Sequence, residues 1–458
     1  MQLSFSSLAQ ADDVKVLVDG DKFFGKHIGV VGSTGSGKSC AVACILQSGI
    51  AQSKEQTEHS ILNNSHIMIF DLHGEYGAAF PDGRLIGVDS LHLPYWLMNS
   101  EELEEMFIES QEQNSHNQVS QFRQAVIENK ERHAGQHGDI SYDSPVYFSL
   151  TEVIFYLSNV NNEIIGRQDG EGVPKLQNGT LVQRRADSYF DEVHEFAEAS
   201  TAKATRAGSS PFHGEFDRFL MRLASRRGDK RLNFLLSPTK DDGGEYQTAD
   251  LKELMEQITG YGQDKTNVTI LDLSGIPFEV LSTVVSLISR LIFTLAFHLR
   301  RKRETDDQEL PFLVVYEEAH NYVPQHQGAR FGSVTRSIER IAKEGRKYGV
   351  SLMVVSQRPA EISESIFSQC NNFVAMRLTN PTDQQYVKRL LPDNLAAITQ
   401  ALPTLERREA IVIGDSVNVP SLVSIDEITD LPKSHDVKVH TEWQKDWLDV
   451  NMDDGLPS

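Results

Sequence analysis

Cysteine is scarce: the 458-residue chain has three, Cys40, Cys44 and Cys370. So sparse and odd a set excludes a disulfide framework and suits a reducing compartment. Cys40 and Cys44 lie four apart and share a face if helical. They are either small apolar residues of a core or part of a metal site that would need further ligands nearby. Positive charge is also short. Lys and Arg number 44 against 65 Asp and Glu, a formal net charge of −21. That total excludes a uniformly basic surface able to coat nucleic acid and disfavours adsorption to anionic membranes. A local basic stripe or pore stays compatible with it, because a phosphate backbone responds to the nearby field. No basic segment followed by an apolar run opens the chain, so no signal peptide is expected. The longest apolar stretch, 276–299, is interrupted by Glu279, Arg290, His298 and several serines. It predicts a buried core helix rather than a membrane span, and the chain is expected to be cytoplasmic. No repeat of solenoid length recurs.

Against these absences stand five short runs of apolar or β-branched residues, at 27–31, 66–70, 268–271, 312–316 and 350–355. Such runs without alternation indicate strands buried on both faces, as in a parallel α/β sheet. On the carboxyl side they meet a Gly-rich loop, Asp71, Asp272, Glu317 and Ser356-Gln357 respectively. Open α/β sheets bind ligands at that edge, so all five nominate one site. Between about 99 and 260 the texture turns helical. Asn99 with Glu102 and Ser149 with Glu152 form capping-box patterns, and 159–179 reads as a polar, Gly-rich loop. Further on, a strand near 372–378, a helix opening near Pro381 and a strand pair at 409–413 and 417–425 are expected. The predicted organisation is a segment 1–26, an α/β core in two parts (27–98 and 261–430), a helical insertion (99–260) and an acidic tail (431–458). In that tail Trp443 and Trp447, four apart, would either dock on a neighbour as a short helix or pack on their own domain.

The strongest motif is Gly32-Ser33-Thr34-Gly35-Ser36-Gly37-Lys38-Ser39, which fits G-x-x-x-x-G-K-[ST] between a strand and a helix. Its glycines let backbone N–H groups curl around phosphates. Lys38 reaches the β- and γ-phosphates of ATP or GTP, and Ser39 offers a hydroxyl to Mg²⁺. At the end of the fourth strand, Glu317 is assigned to Mg²⁺ and Glu318 to the general base that polarises the attacking water. The same pair would also suit a solvated helix start. Gln357 either orients water and senses the γ-phosphate or caps its strand. The run 336–348 is basic. Arg340 and Arg346 are candidates for an arginine delivered across a subunit boundary, or simply members of a solvated helix face. Asp71 and Glu75 either support Mg²⁺ or cap the turn that follows them.

Taken jointly, HIGVVGSTGSGKS (27–39), IFDLHGEYG (69–77), LHLPYWLM (91–98), TILDLSGIP (269–277), VVYEEAHNYVP (314–324) and EGRKYGVSLMVVSQRP (344–359) resemble the HerA branch of the HerA/FtsK family of motor ATPases. The motifs occur in the family's order across most of 20–425. The resemblance implies a RecA-like P-loop core of mainly parallel sheet with a helical insertion. It also implies a homo-hexameric ring with ATP and Mg²⁺ at subunit boundaries, and translocation on double-stranded DNA through a central pore. Relatives work with nuclease or NADase-like effectors, in DNA end processing or phage defence. Family motifs place Lys38 and Ser39 in the P-loop, Glu317 and Glu318 in the Walker B position, and Gln357 as sensor. The trans arginine maps to Arg340 or Arg346. Two departures stand out. Only 31 residues precede Gly32, too few for the family's N-terminal β-barrel, which is expected to be missing. Glu317 also stands where many relatives have Asp; its longer arm still reaches Mg²⁺ through water. DNA contact is then expected to concentrate on Arg222, Arg226, Arg227, Lys230 and Arg231, or on 300–303. The alternative to a motor is a nucleotide-dependent scaffold that assembles and regulates an effector enzyme.

Overall fold

The computed structural model describes residues 2–54, 62–108, 115–135, 138–166, 173–198, 207–262, 264–302, 309–325, 332–390, 398–433, 439–447 and 449. Strands β1 (Gln2–Leu3), β2 (Ser6–Leu8), β3 (Ala11–Lys15) and β4 (Val18–Asp19) precede helix α1 (Gly20–Phe24). β5 (His27–Val31) feeds α2 (Lys38–Lys54), and β6 (His66–Asp71) and β7 (Arg84–Ile86) follow. Next come α3 (Ser100–Phe107), α4 (Ser115–Ala134), α5 (Leu150–Asn162), β8 (Ile164–Gly166), β9 (Val173–Pro174), β10 (Ala207–Ser209), α6 (Asp217–Arg227), α7 (Asn233–Leu236) and α8 (Leu251–Thr259). The chain then runs through β11 (Val268–Asp272), α9 (Phe278–Lys302), β12 (Phe312–Tyr316), α10 (Gly332–Glu344) and β13 (Val350–Ser356). It continues with α11 (Glu364–Phe367), β14 (Cys370–Met376), α12 (Pro381–Leu390), β15 (Glu409–Gly414), β16 (Ser421–Ile425) and α13 (Val439–Glu442).

Eleven of the strands form one sheet in the order β3-β2-β16-β15-β14-β5-β13-β12-β6-β11-β7. Neighbours from β14 to β7 are parallel, and those from β14 to β3 antiparallel. Successive strand side chains point to opposite faces, which sorts the core into two layers. Val30, Ile69, Val315 and Val355 face Val42, Ile45 and Leu46 of α2. Phe70, Val314, Tyr316 and Val354 face α9, α10 and the helices between 100 and 259. α9 is long and apolar enough to cross a membrane, but 78% of its most apolar window is buried inside this fold. At one edge β3 exposes Asp12, Asp13 and Lys15, charges that discourage edge-to-edge pairing.

The capping box at α3 is complete. Asn99 Oδ1 accepts from the Glu102 N–H, and Glu102 Oε2 accepts from the Asn99 N–H, each at 2.9 Å. Glu102 is fully buried and also receives Arg290 at 2.8 Å and Ser286 at 2.9 Å. At α5 only half a box forms. Ser149 Oγ accepts from the Glu152 N–H, while the Glu152 carboxylate instead meets Asn129 and His133. The stretch expected as a loop, 159–179, continues α5 to Asn162 and contributes β8 and β9. Its apolar pairs are too short to read as strands, and 167–172 lie outside the described residues. Trp443 and Trp447 do not share a helix face: α13 ends at Glu442, and they are 80% and 91% exposed. Cys44 is buried with its thiol donating to the Phe5 carbonyl at 3.6 Å. Among the described residues no group of three His, Cys, Asp or Glu could hold a metal on its own, so the pair reads as core. Beyond β16 the chain crosses α2. Gln47 Nε2 donates to the Asp430 carbonyl at 2.9 Å, and the Lys433 N–H donates to the Glu75 carbonyl at 2.9 Å.

Candidate active site

β5 lies between β13 and β14, so the loop after Val31 emerges at the middle of the sheet's carboxyl edge. It must turn into α2 within residues 32–37. Gly35 and Gly37 take φ of +75° and +97°, a left-handed backbone that favours glycine. A Cβ on Gly32 would come within 2.6 Å of Ser36 Oγ. Neighbouring strands fasten the loop through backbone groups. The Ser33 N–H donates to the Arg377 carbonyl at 2.7 Å, and the Gly32 N–H to the Ser356 carbonyl at 3.3 Å. The Arg408 N–H donates to the Ser36 carbonyl at 3.1 Å. Ser33 Oγ meets Thr379 Oγ1 at 3.1 Å. Ser36 Oγ is buried with no protein partner, a polar atom available to a phosphate.

β12 and β6 bring the acids to the same edge. Ser39 Oγ donates to Glu317 Oε1 at 3.4 Å, and Lys38 Nζ lies 3.8 Å from Glu318 Oε1 with both side chains 9% exposed. Burial pushes the Glu317 carboxyl well above the usual carboxylate range, and the negative fields of Asp71, Glu75 and Glu318 add to it. Burial also lowers Lys38, against the opposing pull of Glu318, Glu317 and Glu75. Buried and mutually repelling carboxylates want a cation. Glu317 Oε2 and Glu318 Oε2 are both buried without a hydrogen bond. Ser39, Glu317 and a nucleotide's phosphates therefore fit Mg²⁺, which binds few protein ligands and keeps substrate oxygens and waters. Asp71 is occupied as a cap: it accepts backbone N–H bonds from His73, Glu75 and Tyr76. Glu318 has φ of +45°, a rare conformation for a non-glycine residue and one that clusters at functional sites.

Gln357, directly after β13, reaches the loop, its Oε1 accepting from Thr34 Oγ1. The structure thus brings together Gly32 to Ser39, Glu317, Glu318 and Gln357. It does not bring Arg340 or Arg346 to them. Arg346 precedes β13, at the opposite end of the strand from Ser356, and donates to Asn371 Oδ1 at 3.1 Å. Arg340, on α10, lies over the Phe293 ring at 4.7 Å and 3.8 Å from Glu344. Among the basic candidates, Arg222 donates to the Phe107 carbonyl, Arg231 pairs with Asp229 and Glu279, and Arg300 pairs with Glu309. Arg303 lies outside the described residues. Sequence reasoning missed Arg377 and Arg408, which act on the loop through backbone atoms and leave no side-chain signature. It also missed His320, although the residue lies inside a quoted motif.

A phosphate loop at the strand edge, strand-end acids beside it and an amide from the next strand reaching that loop define a RecA-like P-loop ATPase. Residues 3–292 match the family described as helicase HerA, central domain, and the chain belongs to that family. It is 24% identical to a probable helicase of Methanocaldococcus jannaschii, over 98% of this chain and 71% of the relative. A probable DNA double-strand break repair helicase HerA from the same organism is 22% identical over 97% of this chain and 80% of its own length. The DNA double-strand break repair helicase HerA of Sulfurisphaera tokodaii is 34% identical over 198 residues, 42% of this chain and 39% of that protein. In fold, VirB4 of Thermoanaerobacter pseudethanolicus superposes with a TM-score of 0.51 at 14% identity, over 93% of this chain and 96% of that one. The plasmid coupling protein TrwB in complex with ADP and Mg²⁺ gives 0.50 at 12% identity, over 90% and 88%.

Proposed function

We propose that this ATPase is a motor that translocates on double-stranded DNA as a homo-hexameric ring. The observation that carries the reading is the convergence of Lys38, Ser39, Glu317, Glu318 and Gln357 on one sheet edge, in a chain whose relatives are named as DNA repair helicases. Lys38 and the loop N–H groups bind the phosphates, and Ser39 and Glu317 hold Mg²⁺. When bound, Mg²⁺ neutralises charge on the β- and γ-phosphates. Glu318 takes the proton of a water whose oxygen attacks the γ-phosphorus, while the bond to the β-phosphate oxygen breaks. Gln357 orients that water, and an arginine from the neighbouring subunit, Arg340 or Arg346, stabilises the charge that builds. With a net charge of −21, DNA contact is confined to a basic pore, for which the exposed Arg227 at the end of α6 and Lys230 in the turn beyond it are candidates. The family resemblance further supports a cytoplasmic role with a nuclease or NADase-like effector, in DNA processing or phage defence.

The test is ATP turnover with and without duplex DNA across a salt series. A motor shows DNA stimulation that falls steeply with salt; equal turnover with and without DNA refutes it. Native mass with ATP and DNA checks the ring, and a monomer under all conditions refutes that part. Glu318→Gln separates motor from scaffold: a motor loses function, whereas a scaffold keeps it with ATP bound.

A further inference from the structure

His320 follows the two strand-end acids on the turn out of β12, with its side chain 10% exposed. Its Nδ1 lies 3.3 Å from Glu318 Oε2 and 3.1 Å from Ser356 Oγ. Ser356 is the last residue of β13, and its Oγ also accepts from the Arg358 N–H at 2.9 Å. Gln357 lies between those two residues and reaches Thr34 of the phosphate loop. One ring nitrogen therefore faces both the carboxylate of the proposed base and the root of the proposed sensor.

Burial lowers the His320 pKa, so the ring is neutral near pH 7 and carries one N–H. With that hydrogen on Nδ1, the ring donates to Ser356 Oγ and presents a positive edge to Glu318 Oε2, which has no hydrogen bond of its own. Glu318 is otherwise approached by Lys38, whose ammonium turns to the phosphates once nucleotide binds. The base then keeps its contact with His320 while losing that with Lys38. The left-handed backbone of Glu318 aims the side chain but does not fix its outer torsions.

We infer that His320 is a positioning residue: it ties the Glu318 carboxylate to the end of β13, so that base and sensor are held as one unit. This rests on Glu318 being the base, and the controls are chosen to separate the two. In the full-length protein, steady-state ATP turnover is measured for His320→Ala, His320→Asn, Ser356→Ala and Glu318→Gln. Binding of a fluorescent ATP analogue is measured alongside. His320→Ala should lower kcat about 10- to 100-fold, the usual scale for loss of an orienting partner, with the KM for ATP and analogue binding within about twofold. His320→Asn, whose amide donates from a similar place, should recover part of the loss. Ser356→Ala should lower kcat in the same direction and keeps the inference testable if His320→Ala fails to fold. An unchanged kcat in His320→Ala, with Glu318→Gln inactive, overturns the inference and leaves the base assignment standing. Loss of analogue binding together with kcat also overturns it, because the residue would then serve packing alone. An active Glu318→Gln overturns both.

Discussion

His27 opens β5 with both ring nitrogens committed. Nε2 lies 2.9 Å from the Ala342 carbonyl, and Nδ1 accepts from the Leu352 N–H at 3.0 Å. The ring is therefore neutral with its hydrogen on Nε2, linking α10 and β13 to the strand that leads into the phosphate loop. Burial pulls its pKa down from 6.5 to about 4. Below pH 6.5 the unfolded chain takes up a proton that the folded chain refuses, so the contribution of His27 is fully present above 6.5 and fades as pH falls towards 4. The slope in that window is about 1.4 kcal/mol per pH unit, which makes the loss about 1.4 kcal/mol between pH 7.5 and 5.5. His27→Gln removes the titration while keeping an amide for one of the two bonds. Urea unfolding followed by tryptophan fluorescence at the two pH values should show wild type losing that much more than the variant. Every other titrating group cancels in the comparison. Equal losses in the two proteins would refute the assignment of a buried, neutral His27.

The buried pair of Glu102 and Arg290 predicts a second outcome. Glu102→Ala strands the guanidinium and removes the reciprocal half of the α3 capping box, so unfolding free energy should drop by about 3–5 kcal/mol, read by denaturant titration. Gly37→Ala puts a side chain at φ of +97°, at a cost of about 1–2 kcal/mol; the KM for ATP should rise several-fold while the melting temperature changes little. Arg346→Ala should bind ATP normally and lose turnover on the order of 10³-fold if it reaches a neighbour's site. Mixing it with Lys38→Ala subunits should restore activity at mixed boundaries, and no recovery would count against a trans role.

The parallel half of the sheet is legible because its strands are continuous apolar runs such as FLVVY (312–316) that end in a charge. The antiparallel half is legible only in part: the pair expected at 409–413 and 417–425 is present as β15 and β16, whereas β2 and β3 leave no such signal. Ala11–Lys15 is mostly charged and Ser6–Leu8 is two-thirds serine, and both belong to the sheet only because β2 finds β16 far along the chain. Motif spacing places Lys38, Glu318 and Gln357 on one edge, since each follows a buried strand. It says nothing about Arg340 and Arg346, because a basic helix pattern does not reveal which end of the next strand it precedes. His320 shows the same limit: its value lies in reaching Ser356, a distance in space rather than in sequence.

The strap beyond β16 has a mechanical consequence. It is pinned to Gln47 on α2 and, through Lys433, to the carbonyl of Glu75, on the turn whose N–H groups grip Asp71. Tension applied to the chain past residue 433 is delivered at Glu75, close to the buried acids, rather than spread through the sheet. A pull at residue 433 therefore meets the turn that carries Glu75 before it meets any strand of the sheet.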